Sequence, residues 1–175
     1  MQTSVTPSTE IAAALDALNL PRSARLWFYV TNRSLTADER LHIQTELNMF
    51  VAGWEAHGTP LKASATVMLK DLLVLAVDEG PQPATGCSID RSVAFLRALP
   101  ATRPSLADLD VFGRGWVFAW NAGQARWVRH ALHDFWALAK AGEVPPSTPI
   151  LDTTASTLGD PVVLPVGESW HAHMW

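Results

Sequence analysis

The residue with the clearest chemical potential in this 175-residue chain is Cys87, its single cysteine. It stands in the segment Gly86-Cys87-Ser88-Ile89-Asp90, and the apolar repeat that follows predicts a helix over residues 89–99 with Ser88 as its N-cap. A thiol just before a helix N-terminus is close to the positive end of the helix dipole, which favours the nucleophilic thiolate. A carboxylate at Asp90, in the predicted first turn, opposes this by favouring the protonated thiol. Cys87 is therefore either a nucleophile or a small packing residue.

Two histidines and two carboxylates are candidates to complete a thiol site. His57 lies at the predicted C-terminal end of the longest helix, and in a thiol enzyme it would act as the base. His171 is the alternative base. Asp78 and Glu79 follow the most apolar strand, and because adjacent side chains on a strand point to opposite faces, only one of them is expected to face a cleft. Without chemistry, His57 is a helix cap and the carboxylates form a solvated strand exit.

Two histidine pairs have the spacing of half a metal site. His171 and His173 would share one face of a strand, and His130 and His133 would share one side of a helix or turn. A zinc site needs three or four ligands, and the chain has no second cysteine. The sequence therefore predicts no metal site, and it identifies no cofactor.

Tryptophan is concentrated at one end of the chain. Of the 8 tryptophans, all but two lie from Trp116 onward. Most are expected in the core or half-buried, because indole rings contribute large apolar areas. Trp170 and Trp175 flank the terminal histidines and could form an exposed aromatic patch for a protein partner or a second copy of the chain.

Composition excludes several function classes. The formal charge of -4 leaves no basic surface for nucleic acid. The longest aliphatic run, residues 72–77, is far shorter than a membrane-spanning helix, and Glu10 and Asp16 interrupt any apolar centre of a signal peptide. A single cysteine forms no internal disulfide, which fits a reducing compartment. We expect a cytoplasmic protein that binds neither nucleic acid nor membrane.

The hydrophobic pattern predicts an α+β fold. Residues 1–20 are expected to be an N-terminal extension, and residues 21–175 a single domain. The predicted elements are a central strand at 25–31, a helix from the capping box Thr36-Ala37-Asp38-Glu39 to Gly58, a hairpin of strands 63–69 and 72–77, the helix at 89–99, a hairpin at 116–120 and 126–129, a helix at 131–141 and extended pieces near 150 and 162–164. This order predicts a mainly antiparallel sheet with a β-rich C-terminal part.

Five short segments carry a resemblance to one protein family: Arg25-Leu26-Trp27-Phe28-Tyr29, His57-Gly58 followed by Leu61-Lys62-Ala63, Val77-Asp78-Glu79, Gly86-Cys87-Ser88-Ile89-Asp90 and Ser169-Trp170-His171. From about Pro21 onward the chain resembles small uncharacterised bacterial proteins that are often labelled ABC transporter ATPases. The resemblance implies that one set of residues forms a shared site: His57, Asp78, Glu79, Cys87, Ser88, Asp90 and His171. It implies no established activity. The ATPase label is rejected because no Gly-Lys pair exists and therefore no Walker phosphate loop.

Two functional hypotheses follow from these residues. In the first, the protein is a thiol-dependent transferase or hydrolase in which Cys87 attacks, His57 or His171 takes the proton and helix amides stabilise an oxyanion. In the second, it is a non-catalytic adaptor or protein-interaction module. The polar residues then fix a loop through caps and hydrogen bonds, and the tryptophan-rich C-terminal third binds a partner. Substrate and small-molecule ligand are open in both.

Overall fold

The computed structural model describes residues 6–174, a range that combines helices with antiparallel strands. The α-helices are α1 (Pro7–Asp16), α2 (Ala37–Ala52), α3 (Gly86–Ala98) and α4 (Leu132–Lys140). The strands are β1 (Arg25–Val30), β2 (Glu55–Ala56), β3 (Thr59–Pro60), β4 (Lys62–Met68), β5 (Leu72–Asp78), β6 (Trp116–Asn121), β7 (Arg126–Ala131), β8 (Pro149–Leu151) and β9 (Val163–Pro165). These elements confirm the predicted α+β class, the antiparallel sheets and the strand-rich C-terminal part.

By its backbone contacts the chain divides into two compact units. The larger unit contains residues 16–113 and 156–160, and the smaller unit contains residues 6–15, 114–155 and 161–174 of the described range. The predicted boundary at residue 20 and the single domain after it stay predictions. None of the helices in the described range has the length and apolar character needed to span a bilayer.

The larger unit is built on a three-stranded antiparallel sheet in the order β1-β5-β4. Every residue of β5 is buried, as expected of a strand that is apolar on both faces. The central position predicted for β1 is wrong, because β5 occupies the centre and β1 lies beside it. The β4–β5 hairpin is confirmed, with a loop of three residues in which Leu69 and Lys70 have positive φ values of 55° and 70°.

Helix α2 begins as predicted and ends earlier than predicted. The Thr36 hydroxyl accepts a hydrogen bond from the Glu39 amide, and the Glu39 carboxylate accepts one from the Thr36 amide. The helix ends at Ala52 with Gly53 as its C-cap, so the predicted stop at Gly58 is wrong. The chain turns back there because β2 and β3 form a short hairpin.

The free side of β4 is covered by a side chain of α2. The Gln44 amide nitrogen donates to the Ala65 carbonyl at 3.0 Å, and its oxygen accepts from the Val67 amide at 2.9 Å. This amide satisfies two backbone groups that an edge strand otherwise presents for unwanted pairing. Gln44 thus protects the sheet from edge-to-edge association.

The smaller unit is built on a four-stranded antiparallel sheet in the order β7-β6-β8-β9. Its core combines one face of β6 with a ring from α4 and aliphatic side chains from β8 and the C-terminal segment: Val117, Ala119, Phe135, Ile150 and Val166. The predicted hairpin of β6 and β7 is confirmed. The N-terminal helix α1 has two buried residues, Ile11 and Leu15. Residues 1–5 of the predicted extension lie outside the described residues.

Candidate functional site

Cys87 is exposed, and it is the second residue of α3. The helix begins three residues earlier than predicted, with Thr85 as its N-cap, so the assignment of Ser88 as the cap is wrong. Ser88 instead completes a capping box. Its hydroxyl accepts from the Thr85 amide at 2.8 Å and donates to the Thr85 carbonyl at 2.9 Å, and its own amide donates to the Thr85 hydroxyl at 3.4 Å. The Thr-x-x-Ser spacing is the sequence signal for this start.

A buried tryptophan fixes the first turn of α3. The indole nitrogen of Trp54 donates to the Ser88 carbonyl at 2.8 Å. The Trp54 ring is almost fully buried and lies 5.0 Å from the Phe50 ring and 6.2 Å from the Trp27 ring, measured between centroids. Ser88 therefore uses its hydroxyl, amide and carbonyl within the fold.

The two predicted carboxylates have separate structural partners. Asp78 accepts from the Lys62 ammonium at 3.0 Å and from the Gly80 amide at 3.1 Å, and these hydrogen bonds lower its pKa. Glu79 accepts from the Ala84 amide at 3.1 Å and lies 3.6 Å from the Arg25 guanidinium. Their separate partners fit the expectation that the two do not act as a pair. Both brace the loop that leads to α3.

His57 and Asp90 occupy positions other than those predicted. His57 is exposed in the turn of the β2–β3 hairpin, where its φ of 51° and the φ of 77° at Gly58 are those of a two-residue type I′ turn. It therefore caps no helix. Asp90 is exposed and lies beyond the first turn of α3, because the helix starts at Gly86. Within residues 6–174 no hydrogen bond joins the Cys87 thiol to the His57 imidazole.

His171 belongs to the smaller unit, whereas the other six predicted site residues belong to the larger unit. It is 2% exposed, its ring stacks 3.8 Å from the Trp170 ring, and its Nδ1 lies 3.1 Å from the Ser169 hydroxyl. Burial lowers the pKa of His171, and the Asp152 carboxylate partly opposes this. That the seven residues form one site stays a prediction.

The predicted histidine pairs do not have the expected geometry. Residues 170–174 form a 3-10 helix instead of a strand, in which His171 is buried and His173 exposed. His130 lies on β7, whereas His133 is exposed on α4. Among the residues that the structure describes, no three histidine, cysteine or acidic side chains are grouped to hold a metal ion. Trp170 is 43% exposed, and Trp175 lies outside the described residues.

A cavity of about 340 Å³ that opens widely to solvent lies within the smaller unit, between the end of β6, β7, α4 and the loop that follows α4. Its lining is Ala119, Trp120, Asn121, Ala122, His130, Phe135, Leu138, Glu143, Val144, Pro145 and Thr148. This volume is at the lower end of the range for small-molecule sites, and a mostly apolar wall with a few polar groups is typical of them. The sequence prediction missed this cavity.

The turn after α4 fixes one wall of the cavity. Gly142 has a φ of 77°, its amide donates to the Ala139 carbonyl at 3.0 Å, and the Glu143 amide donates to the Leu138 carbonyl at 3.0 Å. These are the two hydrogen bonds of a Schellman motif, which a glycine favours. The motif ends the helix and holds Glu143 and the following Val144 at the cavity.

The His130 imidazole and the Glu143 carboxylate are the titratable side chains of the described lining. The His130 ring lies 5.7 Å from the Phe135 ring, and burial lowers its pKa, with the Asp134 carboxylate opposing. The imidazole is therefore neutral near pH 7. Within residues 6–174 neither the His130 imidazole nor the Glu143 carboxylate forms a hydrogen bond or an ion pair with another protein group.

No family model, no curated protein and no solved structure matches this chain. The resemblance to the small bacterial proteins therefore stays a prediction.

Proposed function

We propose that this chain is a cytoplasmic, non-catalytic binding module that holds a small ligand in the cavity of its smaller unit. The observation that carries the proposal is the half-buried His130 imidazole, which lines a cavity of about 340 Å³ and forms no hydrogen bond with a protein group among the described residues. The single cysteine fits the reducing cytoplasm.

Polar groups that the fold leaves without a protein hydrogen bond are available to a ligand. A buried donor or acceptor without a partner costs about 1–3 kcal/mol, and folded proteins pair most such groups. His130 is only half-buried and Glu143 is exposed, so water hydrates both groups in the free protein and neither carries that full cost. A ligand that hydrogen-bonds to these groups would displace this water without breaking a hydrogen bond of the fold.

The neighbourhood of Cys87 offers less support for a thiol enzyme. Ser88, Asp78 and Glu79 already bond to protein groups, and His57 forms a hairpin turn. Thiol catalysis needs a base within hydrogen-bond reach of the nucleophile. The second hypothesis, a non-catalytic module that uses the tryptophan-rich end, fits this arrangement better.

The test is a fragment screen by ligand-observed NMR on the wild type and on Leu138→Trp, which places a large ring in the cavity wall. The matched control is Leu41→Trp, because Leu41 is 70% exposed on α2. We expect fragments that bind the wild type and Leu41→Trp and lose binding to Leu138→Trp. Fragments that bind all three proteins equally would contradict the proposal. Circular dichroism confirms that each variant folds, and Val144→Phe replaces Leu138→Trp if that variant does not.

A further inference from the structure

The charge that the described lining places at the cavity is negative. Glu143 is the one residue of the described lining that is charged at pH 7, since the His130 imidazole is neutral there. The carboxylate of Asp134 adds a second negative charge close enough to His130 to act on it electrostatically. The field at the cavity therefore favours a cation.

Three basic side chains of the smaller unit have partners outside the described lining of the cavity. The Arg129 guanidinium lies 4.4 Å from the centre of the Trp116 ring, and the Lys140 ammonium lies 4.0 Å from that of Trp136. Arg126 donates to the Gln124 side chain at 2.7 Å. No lysine or arginine appears in the described lining, and within residues 6–174 Glu143 forms no ion pair.

The rest of the wall suits the carbon skeleton of an organic molecule. Phe135, Leu138, Val144 and Pro145 provide apolar surface, and a neutral imidazole at His130 can accept a hydrogen bond from an N–H group. An inorganic cation prefers several charged oxygen ligands, and Glu143 is the one carboxylate of the described lining.

We infer that the ligand of this cavity is a small organic cation whose ammonium or guanidinium group faces Glu143 and whose apolar part contacts Phe135 and Leu138. The inference rests on the proposed function, because it names the class of ligand for the same cavity.

The experiment compares three probes of similar size and different charge: benzylamine, benzyl alcohol and benzoate. Each is titrated into the ¹⁵N-labelled protein at pH 7.5, and amide shifts in the cavity wall report binding. We expect benzylamine to bind about three- to fivefold more tightly than benzyl alcohol, as for a partly exposed ion pair. Added salt should reduce this preference, since it screens exposed charges.

Two matched variants test whether the Glu143 carboxylate causes the preference for benzylamine. Glu143→Gln should abolish the preference for benzylamine, whereas Glu168→Gln, at an exposed carboxylate of the same unit outside the cavity lining, should retain it. An unchanged preference in Glu143→Gln would overturn the inference.

The outcomes separate the inference from the proposed function. If benzyl alcohol or benzoate binds in the cavity as tightly as benzylamine, the ligand class is wrong and the binding site stands. If none of the three shifts the amides of the cavity wall at millimolar concentration, both are overturned.

Discussion

The start of α3 and the cavity of the smaller unit use their polar residues in opposite ways. At the start of α3, Ser88 forms hydrogen bonds with both Thr85 and Trp54. At the cavity, His130 and Glu143 have no protein partner among the described residues. Polar groups that the fold already pairs contribute stability, whereas hydrated ones at a cavity contribute little and are available to a ligand. The difference predicts opposite responses to mutation.

The largest effect is expected at the tryptophan that anchors α3. Trp54→Ala should lower the free energy of unfolding by about 3–5 kcal/mol, because it removes a buried ring and the hydrogen bond to Ser88. Urea denaturation measures this. Trp170→Ala, at a 43% exposed ring of the smaller unit, is the control and should cost clearly less. If both variants lose the same free energy of unfolding, Trp54 has no special role in anchoring α3.

The next largest effect on stability is expected at Ser88, and its neighbour Cys87 should show almost none. Ser88→Ala should lower the free energy of unfolding by about 1–2 kcal/mol, because the capping box and a buried hydroxyl lose their partners. Cys87→Ser, at an exposed side chain, should change it by less than about 0.5 kcal/mol. A neutral Ser88→Ala variant would show that the polar residues around Cys87 are not structural.

The features predicted correctly from the sequence are those set by local patterns. The apolar run of β5 indicates a strand buried on both faces, and the Thr36–Glu39 spacing indicates a helix start. Gly142 correctly marks the end of α4. In each case the physical cause lies within a few residues of sequence.

The wrong predictions depend on contacts that sequence patterns do not contain. Ser88 and Thr85 are both acceptable caps, and the bond from Trp54, 34 residues away, is part of what fixes the chosen start. His57 is a plausible helix end until the β2–β3 hairpin is known. The cavity joins a strand end, a helix and a loop across residues 119–148, and no periodicity reveals such a volume.

The two units should lose stability in different pH ranges. Burial lowers the pKa of His130 and His171 below 6.5, so the unfolded chain binds protons first and the smaller unit loses stability as the pH falls below about 6.5. In the larger unit, hydrogen bonds from Arg33 lower the pKa of Glu39 to about 2, and that contribution is lost only below about pH 4.5. Each unit of pKa shift corresponds to about 1.4 kcal/mol.

Urea titrations at pH 7 and pH 5, followed by amide signals of each unit, check this prediction. The His171→Phe variant should reduce the pH dependence of the smaller unit, because it removes one of the two histidines. A smaller unit that is equally stable at pH 7 and pH 5 would contradict the assignment of neutral, buried imidazoles.

The smallest effect is expected at the cavity and has the opposite sign. His130→Phe should leave the free energy of unfolding unchanged or raise it by up to about 1 kcal/mol, because it replaces an unpaired polar ring with an apolar one. The same variant should weaken fragment binding. A loss of more than 1 kcal/mol would instead give His130 a structural role.

The most direct test of the central claim is to map where small molecules bind. Amide signals of the ¹⁵N-labelled protein are recorded with and without the fragments found in the screen. The account predicts shifts at Asn121, His130 and Thr148 in the cavity wall, with the amides of Gly86 and Cys87 unchanged. Shifts confined to Gly86 and Cys87 would contradict this account and would favour the hypothesis of a thiol enzyme.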